Sequence, residues 1–225
     1  MSTTNQKTKV AIIGLGNIGK AIATNLVKGD HPVIVASREK AKAENFAAQL
    51  GNLAIAKEIT NAIQDADVII PAIYFDKIKT FLKDYAPELK GKVIVDVSNP
   101  IAPDGNGGFK KIINADQSSG QLLSELIPPG TSFIKAFGTL AAEALSGEAF
   151  AEPEWKVLFY ASDNTNSKGK IEELIIDSGF EPLYIGGIGQ SIRIEVFGDL
   201  HQFGPLGKTV VLEEAKEILL QTTTV

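Results

Sequence analysis

The sequence predicts an α/β protein in which a doubly wound, mostly parallel sheet carries helices on both faces and ends in a short helical extension. Three observations predict it. An apolar run, Val10 to Ile13, abuts Gly14-Leu15-Gly16-Asn17-Ile18-Gly19, a pattern in which a strand turns sharply into a helix. Short apolar runs then alternate with amphipathic stretches along the chain, as successive βα steps do. Finally, 225 residues with 44% hydrophobic and 22% charged side chains are enough to bury a full core.

After the glycine turn, Ile18, Ala21, Ile22 and Leu26 fall on one helix face, and Gly29-Asp30-His31-Pro32 ends that helix. Val33 to Ala36 is the second strand and closes a βαβ unit of about thirty residues. Glu39 to Leu50 reads as a helix with Ala43, Phe46, Ala47 and Leu50 inward, stopped by Gly51. Leu53 to Ala56 is the third strand, Glu58 to Gln64 a short helix, and Asp67 to Tyr74 a buried strand with Pro71 near its end. A helix broken by Pro87 leads to the fifth strand within Lys92 to Val97. Ser98 to Gly130 interrupts the rhythm with Asn99-Pro100, the glycine-rich Pro103 to Gly108, and a short amphipathic stretch from Gln121 to Leu126. A connection this long reads either as functional or as loop decoration. Three further strands follow, Ser132 to Phe137, Lys156 to Ala161 and Glu181 to Ile185, with helices from Leu140 to Leu145 and from Lys168 to Ser178. Ile188, Ile192, Val196 and Leu200, spaced by four, predict a helix; Gly204-Pro205-Leu206-Gly207 breaks it, and Lys208 to Leu220 resumes the pattern.

Composition excludes several function classes. A net charge of −5 with scattered basic residues argues against a nucleic-acid surface. No apolar run approaches the roughly 20 residues that span a bilayer, so no membrane partner is expected. The polar start, Met1 to Lys7, reads as a frayed tail without the apolar core of a signal peptide, and the protein as cytoplasmic. The chain has no cysteine, which removes disulfides and thiol nucleophiles, and two histidines give little basis for a metal site; none is expected. Redox chemistry would then rest on bound cofactors.

The glycine pattern has a mechanical meaning. The first glycine makes the tight turn, the second lets backbone approach a pyrophosphate, and the third lets helix and strand pack closely. The pyrophosphate then lies on free N–H groups of the helix starting near Asn17, in a Rossmann-type dinucleotide site. At the end of the second strand an NAD site usually carries a carboxylate for the ribose 2′-hydroxyl. Here Ser37 and Arg38 stand instead, a hydroxyl and a guanidinium that attract a 2′-phosphate and so select NADP(H). Lys42, one helical turn on, is either in reach of the same phosphate or a solvated helix charge. Ligands of open α/β sheets collect beyond the carboxyl ends of the strands. The expected cofactor-binding set is therefore Gly14, Leu15, Gly16, Asn17, Ile18, Gly19, Ser37, Arg38, Lys42, Pro71, Ala72, Ile73, Tyr74, Ser98, Asn99, Pro100, Ala136 and Phe137. Residues 1–187 are expected to form the NADP-binding domain, and 188–225 a helical extension on that domain or on a second subunit of a homodimer.

No residue stands out as a nucleophile or as a general acid–base pair, so the catalytic residues are left unassigned. Ser98 and Asn99 orient a nicotinamide carboxamide or simply end a strand. Tyr74 caps the site or packs. His201 is the only imidazole placed near a substrate, with a core or surface histidine as the plainer reading; His31 and Trp155 read as structural. Transfer between two ring cofactors needs mainly stacking and alignment, because the cofactors carry the chemistry.

The joint set of Ile13-Gly14-Leu15-Gly16-Asn17-Ile18-Gly19, Ser37-Arg38, Val95-Asp96-Val97-Ser98-Asn99-Pro100 and Ile134-Lys135-Ala136-Phe137-Gly138-Thr139 resembles the coenzyme F420-dependent NADP oxidoreductase family, its bacterial dinucleotide-binding relatives, and the reductase domain of six-transmembrane metalloreductases. The resemblance runs from Lys9 to about Phe203. It implies an NADPH-dependent oxidoreductase that moves hydride between NADP(H) and a small redox partner, a flavin or F420-type deazaflavin, stacked near Asn99 and Ala136-Phe137. Many relatives carry Asn where this chain has Gly138, which removes a side-chain donor beside the nicotinamide. Two other readings stand beside this one: a non-catalytic NADP(H)-sensing regulatory protein, and a small imine or keto-acid reductase.

Overall fold

The computed structural model describes residues 7–222. Of the tail read as frayed, residues 1–6 lie outside the described residues. The first half alternates strictly: β1 (Val10–Ile13), α1 (Asn17–Lys28), β2 (Val33–Ala36), α2 (Lys40–Leu50), β3 (Ala54–Ala56), α3 (Ile59–Asp65), β4 (Val68–Pro71), α4 (Phe75–Asp84), α5 (Ala86–Leu89) and β5 (Val93–Asp96). After it come a hairpin of β6 (Ile101–Pro103) and β7 (Phe109–Lys111), then α6 (Ser119–Ser124), β8 (Ser132–Lys135), α7 (Ala142–Gly147), β9 (Val157–Tyr160), α8 (Lys168–Asp177), β10 (Glu181–Tyr184) and α9 (Leu212–Thr222). The main sheet has the order β3-β2-β1-β4-β5-β8 with every pairing parallel. This is a Rossmann-type sheet, and its order reverses between β1 and β4, where such sheets open a crevice.

Strand alternation sorts the core onto two faces. Val10 and Ile12 of β1 pack with α1, α2, α7 and α8 through Ile22, Leu26, Phe46, Leu145 and Ile171. Ala11 and Ile13 face the other way and join Ile63, Ile78, Leu89 and Leu123. Strands buried on both faces read as unbroken apolar runs, and these do. The α4–α5 break comes at Tyr85, two residues before Pro87. The proline stands in the first turn of α5, where its missing N–H costs nothing.

Two segments depart from the sequence expectation. The glycine-rich stretch after Asn99 is an antiparallel hairpin, its turn held by Asp104 Oδ1, which accepts from the N–H groups of Asn106 (2.7 Å) and Gly108 (2.9 Å). The helix expected through Ile188, Ile192, Val196 and Leu200 is instead a 3-10 helix, Ile188–Ile194, followed by turns to Gly207. The i, i+4 spacing is real, but stronger partners win. The Val196 N–H donates to the Asn99 side chain rather than to a helical carbonyl. Phe197 takes a positive φ of 75°, and Gly204 lies so close to Gly198 that a Cβ would meet its carbonyl oxygen at 1.9 Å. Leu200 nonetheless reaches the core, joining Ile194, Val210 and Ala215 against Val157 and Phe159 of β9.

Candidate dinucleotide site

The loop after β1 has the geometry its glycines imply. Gly14 has φ 101°, and a Cβ there would meet the Ala72 carbonyl oxygen at 2.5 Å; at Gly19 a Cβ would meet the Gly14 carbonyl oxygen at 2.0 Å. Both positions are closed to any side chain. Around Gly16 nothing lies within 4 Å of that position. Gly16 is also the N-cap of α1, with no side-chain cap and no acidic residue in the first turn. The first N–H groups of a twelve-residue helix therefore look into open space with their partial positive charge. These residues fit the pyrophosphate of a dinucleotide. Asn17 is exposed beside this opening, Ile18 is half-buried, and Leu15 faces the core.

Ser37 and Arg38 follow β2 directly, one strand over from the glycine turn, because the Gly14 N–H donates to Ala36 O at 2.9 Å. Ser37 Oγ accepts from the Glu39 N–H at 3.3 Å. Arg38 is exposed and makes no ion pair among the described residues; Lys42 is exposed on α2. On the other wall Pro71 is buried, Ala72 and Ile73 are half-buried, and the Ala72 N–H donates to Ile13 O at 2.8 Å. Tyr74 is 83% exposed, so it does not pack.

The far end of the crevice is a side-chain network. Asn99 Nδ2 donates to the Gly138 carbonyl at 2.8 Å, and Asn99 Oδ1 accepts from Val196 N–H at 2.7 Å. His201 Nδ1 lies 2.8 Å from the Phe203 N–H and Nε2 lies 3.0 Å from Gly138 O. The first contact needs an acceptor and the second a donor, which fixes the neutral Nε2–H tautomer. Burial pushes the imidazole down to about 4, against the opposing Gly138 hydrogen bond and with a smaller push from Lys135. His201 is thus a buried structural residue that holds the Gly138 turn. A Cβ on Gly138 would meet the Val97 carbonyl oxygen at 2.6 Å, so this backbone admits no side chain at that position. Ser98 Oγ and Thr139 Oγ1, beside the Asn99–Gly138 bond, are buried without a hydrogen-bond partner among the described residues. Such groups cost free energy unless something meets them, and a ligand amide would. Pro100, Ala136 and Phe137 are buried; the last two are closed to solvent, Phe137 with φ 61°.

Beneath this end lies a cluster that the sequence reading did not assign. Lys135 Nζ donates to Asp96 Oδ2 (2.7 Å), to Ser119 Oγ (2.7 Å) and to the Ser98 carbonyl. Glu195 Oε1 stands 3.7 Å from the ammonium. Lys135, Asp96, Ser119 and Glu195 are each at most 1% exposed. A lysine between Ile134 and Ala136, and an aspartate between two valines, were the available signal: charged residues inside strands buried on both faces need partners. His31 is similarly committed, with Nδ1 2.7 Å from Asp177 Oδ2 and Nε2 2.7 Å from Thr8 O, while Lys7 Nζ pairs with Asp177 at 2.5 Å. It clamps the chain before β1 to α8. Glu173 completes a His–carboxylate group there, but its Oε2 takes the Thr8 hydroxyl at 2.5 Å.

Residues 9–100 match the family model described as NADP oxidoreductase, coenzyme F420-dependent. The chain is 28% identical over 187 residues to the metalloreductase STEAP3 of Rattus norvegicus, across 83% of this chain and 36% of that protein. It is 31% identical over 104 residues to the F420-dependent NADP reductase of Methanocaldococcus jannaschii, across 42% of this chain and 46% of that one. The matches thus span less than half the length of either curated relative. A solved structure of a hypothetical protein from Sinorhizobium meliloti is 28% identical, with a TM-score of 0.79 over 91% of this chain and 96% of its own. The resemblance read from the motifs is therefore present in sequence, and the fold is shared with that solved structure. No helix among the described residues is long and apolar enough to cross a membrane.

Proposed function

We propose, from the family pattern of residues 9–100, that the protein is an NADP-dependent oxidoreductase that transfers hydride between NADP(H) and a flavin-like or deazaflavin partner. The observation that carries the cofactor half is the opening at Gly16. Its two glycine neighbours are sterically closed, while it faces free space at an uncapped helix N-terminus. Arg38 and Ser37, one strand away, take the 2′-phosphate, with Lys42 as a weaker contributor. Ala72 to Tyr74 form the opposite wall, and Ser98, Asn99 and Thr139 receive the nicotinamide end. The bound dinucleotide supplies the hydride; the protein supplies alignment and exclusion of water.

The redox partner is the finer part of the reading. It is supported by how the polar residues of that end are spent. His201, Lys135, Asp96 and Glu195 are all buried and engaged within the protein, so the site is furnished for ring-to-ring transfer rather than for protonating an imine or a ketone. The exposed Tyr74 ring stands at the mouth and caps the incoming partner. The reading also carries our expectation of a cytoplasmic homodimer, which sedimentation as monomer alone would overturn.

The test is anaerobic oxidation of NADPH, with NADH in parallel, against FMN, FAD, F420, quinones and ferric chelates. We expect turnover selective for NADPH with a ring acceptor, weakened by Arg38→Ala. Equal affinity for NADPH and NADH would overturn the cofactor assignment. Tight NADPH binding without turnover on any acceptor would favour the sensor reading.

A further inference from the structure

We infer that the buried Lys135–Asp96–Glu195 cluster carries a net negative charge beneath the nicotinamide end and biases the site toward the oxidised, cationic cofactor. This rests on the proposed binding mode. The charge follows from hydrogen-bond accounting. Lys135 spends its three donors on Asp96 Oδ2, Ser119 Oγ and Ser98 O. Asp96 Oδ1 accepts from the Ser98 N–H at 2.9 Å. Glu195 Oε2 accepts from the Ser119 N–H at 2.9 Å, and Oε1 from the Gly120 N–H (2.9 Å) and the Ser119 hydroxyl (2.8 Å). Apart from the Ser119 hydroxyl, which also lies 3.3 Å from Asp96 Oδ2, the groups around the four carboxylate oxygens are backbone N–H donors and the Lys135 ammonium, which a carboxylate satisfies and a carboxylic acid does not. Both acids are anionic against one ammonium.

The place of that charge gives it a function. Asp96 and Lys135 are the last residues of β5 and β8, so the cluster sits at the carboxyl edge of the sheet. It touches the crevice through the backbone of Ser98, and through Glu195, whose neighbour Val196 holds Asn99. The nicotinamide ring is cationic in NADP+ and neutral in NADPH, while the phosphates are common to both. A buried anion therefore discriminates between the two forms, whereas Arg38 does not. Tighter holding of the oxidised form makes bound NADPH the stronger reductant, which points the protein toward reducing its partner.

The experiment is calorimetric measurement of the dissociation constants for NADP+ and NADPH in the parent protein, Glu195→Gln, Asp96→Asn and Arg38→Ala. In the parent, NADP+ is expected to bind at least as tightly as NADPH. Either neutralising variant should weaken NADP+ relative to NADPH by about tenfold, the size of one unit charge at moderate range and intermediate dielectric. This ratio should barely respond to salt, since the charge is buried. Arg38→Ala should weaken both forms equally. A parent that prefers NADPH by tenfold or more, or a ratio unchanged in a folded variant, would overturn the inference. If Arg38→Ala leaves both constants unchanged, the binding mode itself fails instead.

Discussion

The two ends of the crevice are built on different principles. At the end proposed for the phosphates the chain offers three glycines, a bare helix N-terminus and two residues that directly follow a strand. The pieces lie within about thirty residues of one another, in one βαβ unit. At the end proposed for the nicotinamide the chain brings together Asp96, Asn99, Ser119, Lys135, Gly138, Glu195 and His201, and the Asn99–Val196 hydrogen bond joins residues 97 apart in sequence. One end depends on what is left open, the other on what is filled. The glycine turn is damaged by gain of a side chain, as at Gly14 and Gly19, and the buried network by loss of one.

The sharpest way to break that contrast is to remove the lysine at the filled end. Lys135→Met leaves two buried carboxylates uncompensated and should cost about 3–5 kcal/mol, read by denaturant unfolding; a loss below 1 kcal/mol would show the cluster to be hydrated in solution. His201 gives the next largest effect. Its folded-state value, about 4, lies below the ordinary 6.5, so the unfolded chain takes up the proton first. Its contribution is full above pH 6.5 and is lost as pH falls toward 4, by at most about 3 kcal/mol. His201→Gln should flatten stability against pH in that window, and an unchanged slope would reassign the loss to other groups.

At the open end, Arg38→Ala should remove a charge-assisted contact of about 1.5–3 kcal/mol, or roughly ten- to a hundredfold in NADPH affinity, with NADH affinity and unfolding unchanged. Two glycines sharpen the point. Gly19→Ala should destabilise the fold by about 1–3 kcal/mol through overpacking. Gly16→Ala should leave stability within about 0.5 kcal/mol while weakening NADPH, because its methyl group enters the space meant for pyrophosphate. Loss of stability in Gly16→Ala would mean that the loop is packed in solution. Lys42→Ala is the smallest change, about 0.2–1 kcal/mol at low salt and vanishing at high salt.

The same contrast governs what could be read from sequence. β1, α1, β2 and the Ser37-Arg38 pair were legible because periodicity and turn chemistry act over a few residues. The parallel sheet followed from strict alternation. His201 and Glu195 were not legible as partners of Gly138 and Ser119, since nothing local marks contacts across 63 and 76 residues. The segment from Ile188 to Leu200 was misread for a related reason. Its apolar spacing suits a helix, yet its N–H groups and carboxylate are captured by distant segments. The strand lysine and aspartate were visible as anomalies, but pairing them required the sheet order that makes β5 and β8 neighbours.

Lys135 has one more role, through its main chain. Its N–H and carbonyl exchange hydrogen bonds of 2.9 Å with Ala161 in an isolated antiparallel bridge. β9 thereby approaches the outer side of β8 from the opposite direction, with β10 alongside it. A parallel sheet ending at β8 would otherwise offer a row of unpaired amides to any passing chain. The bridge closes the end of that row, and the opposite border is the three-residue β3, too short to template much. Lateral growth into larger sheets is thus opposed at both borders of a main sheet whose strands are mostly apolar.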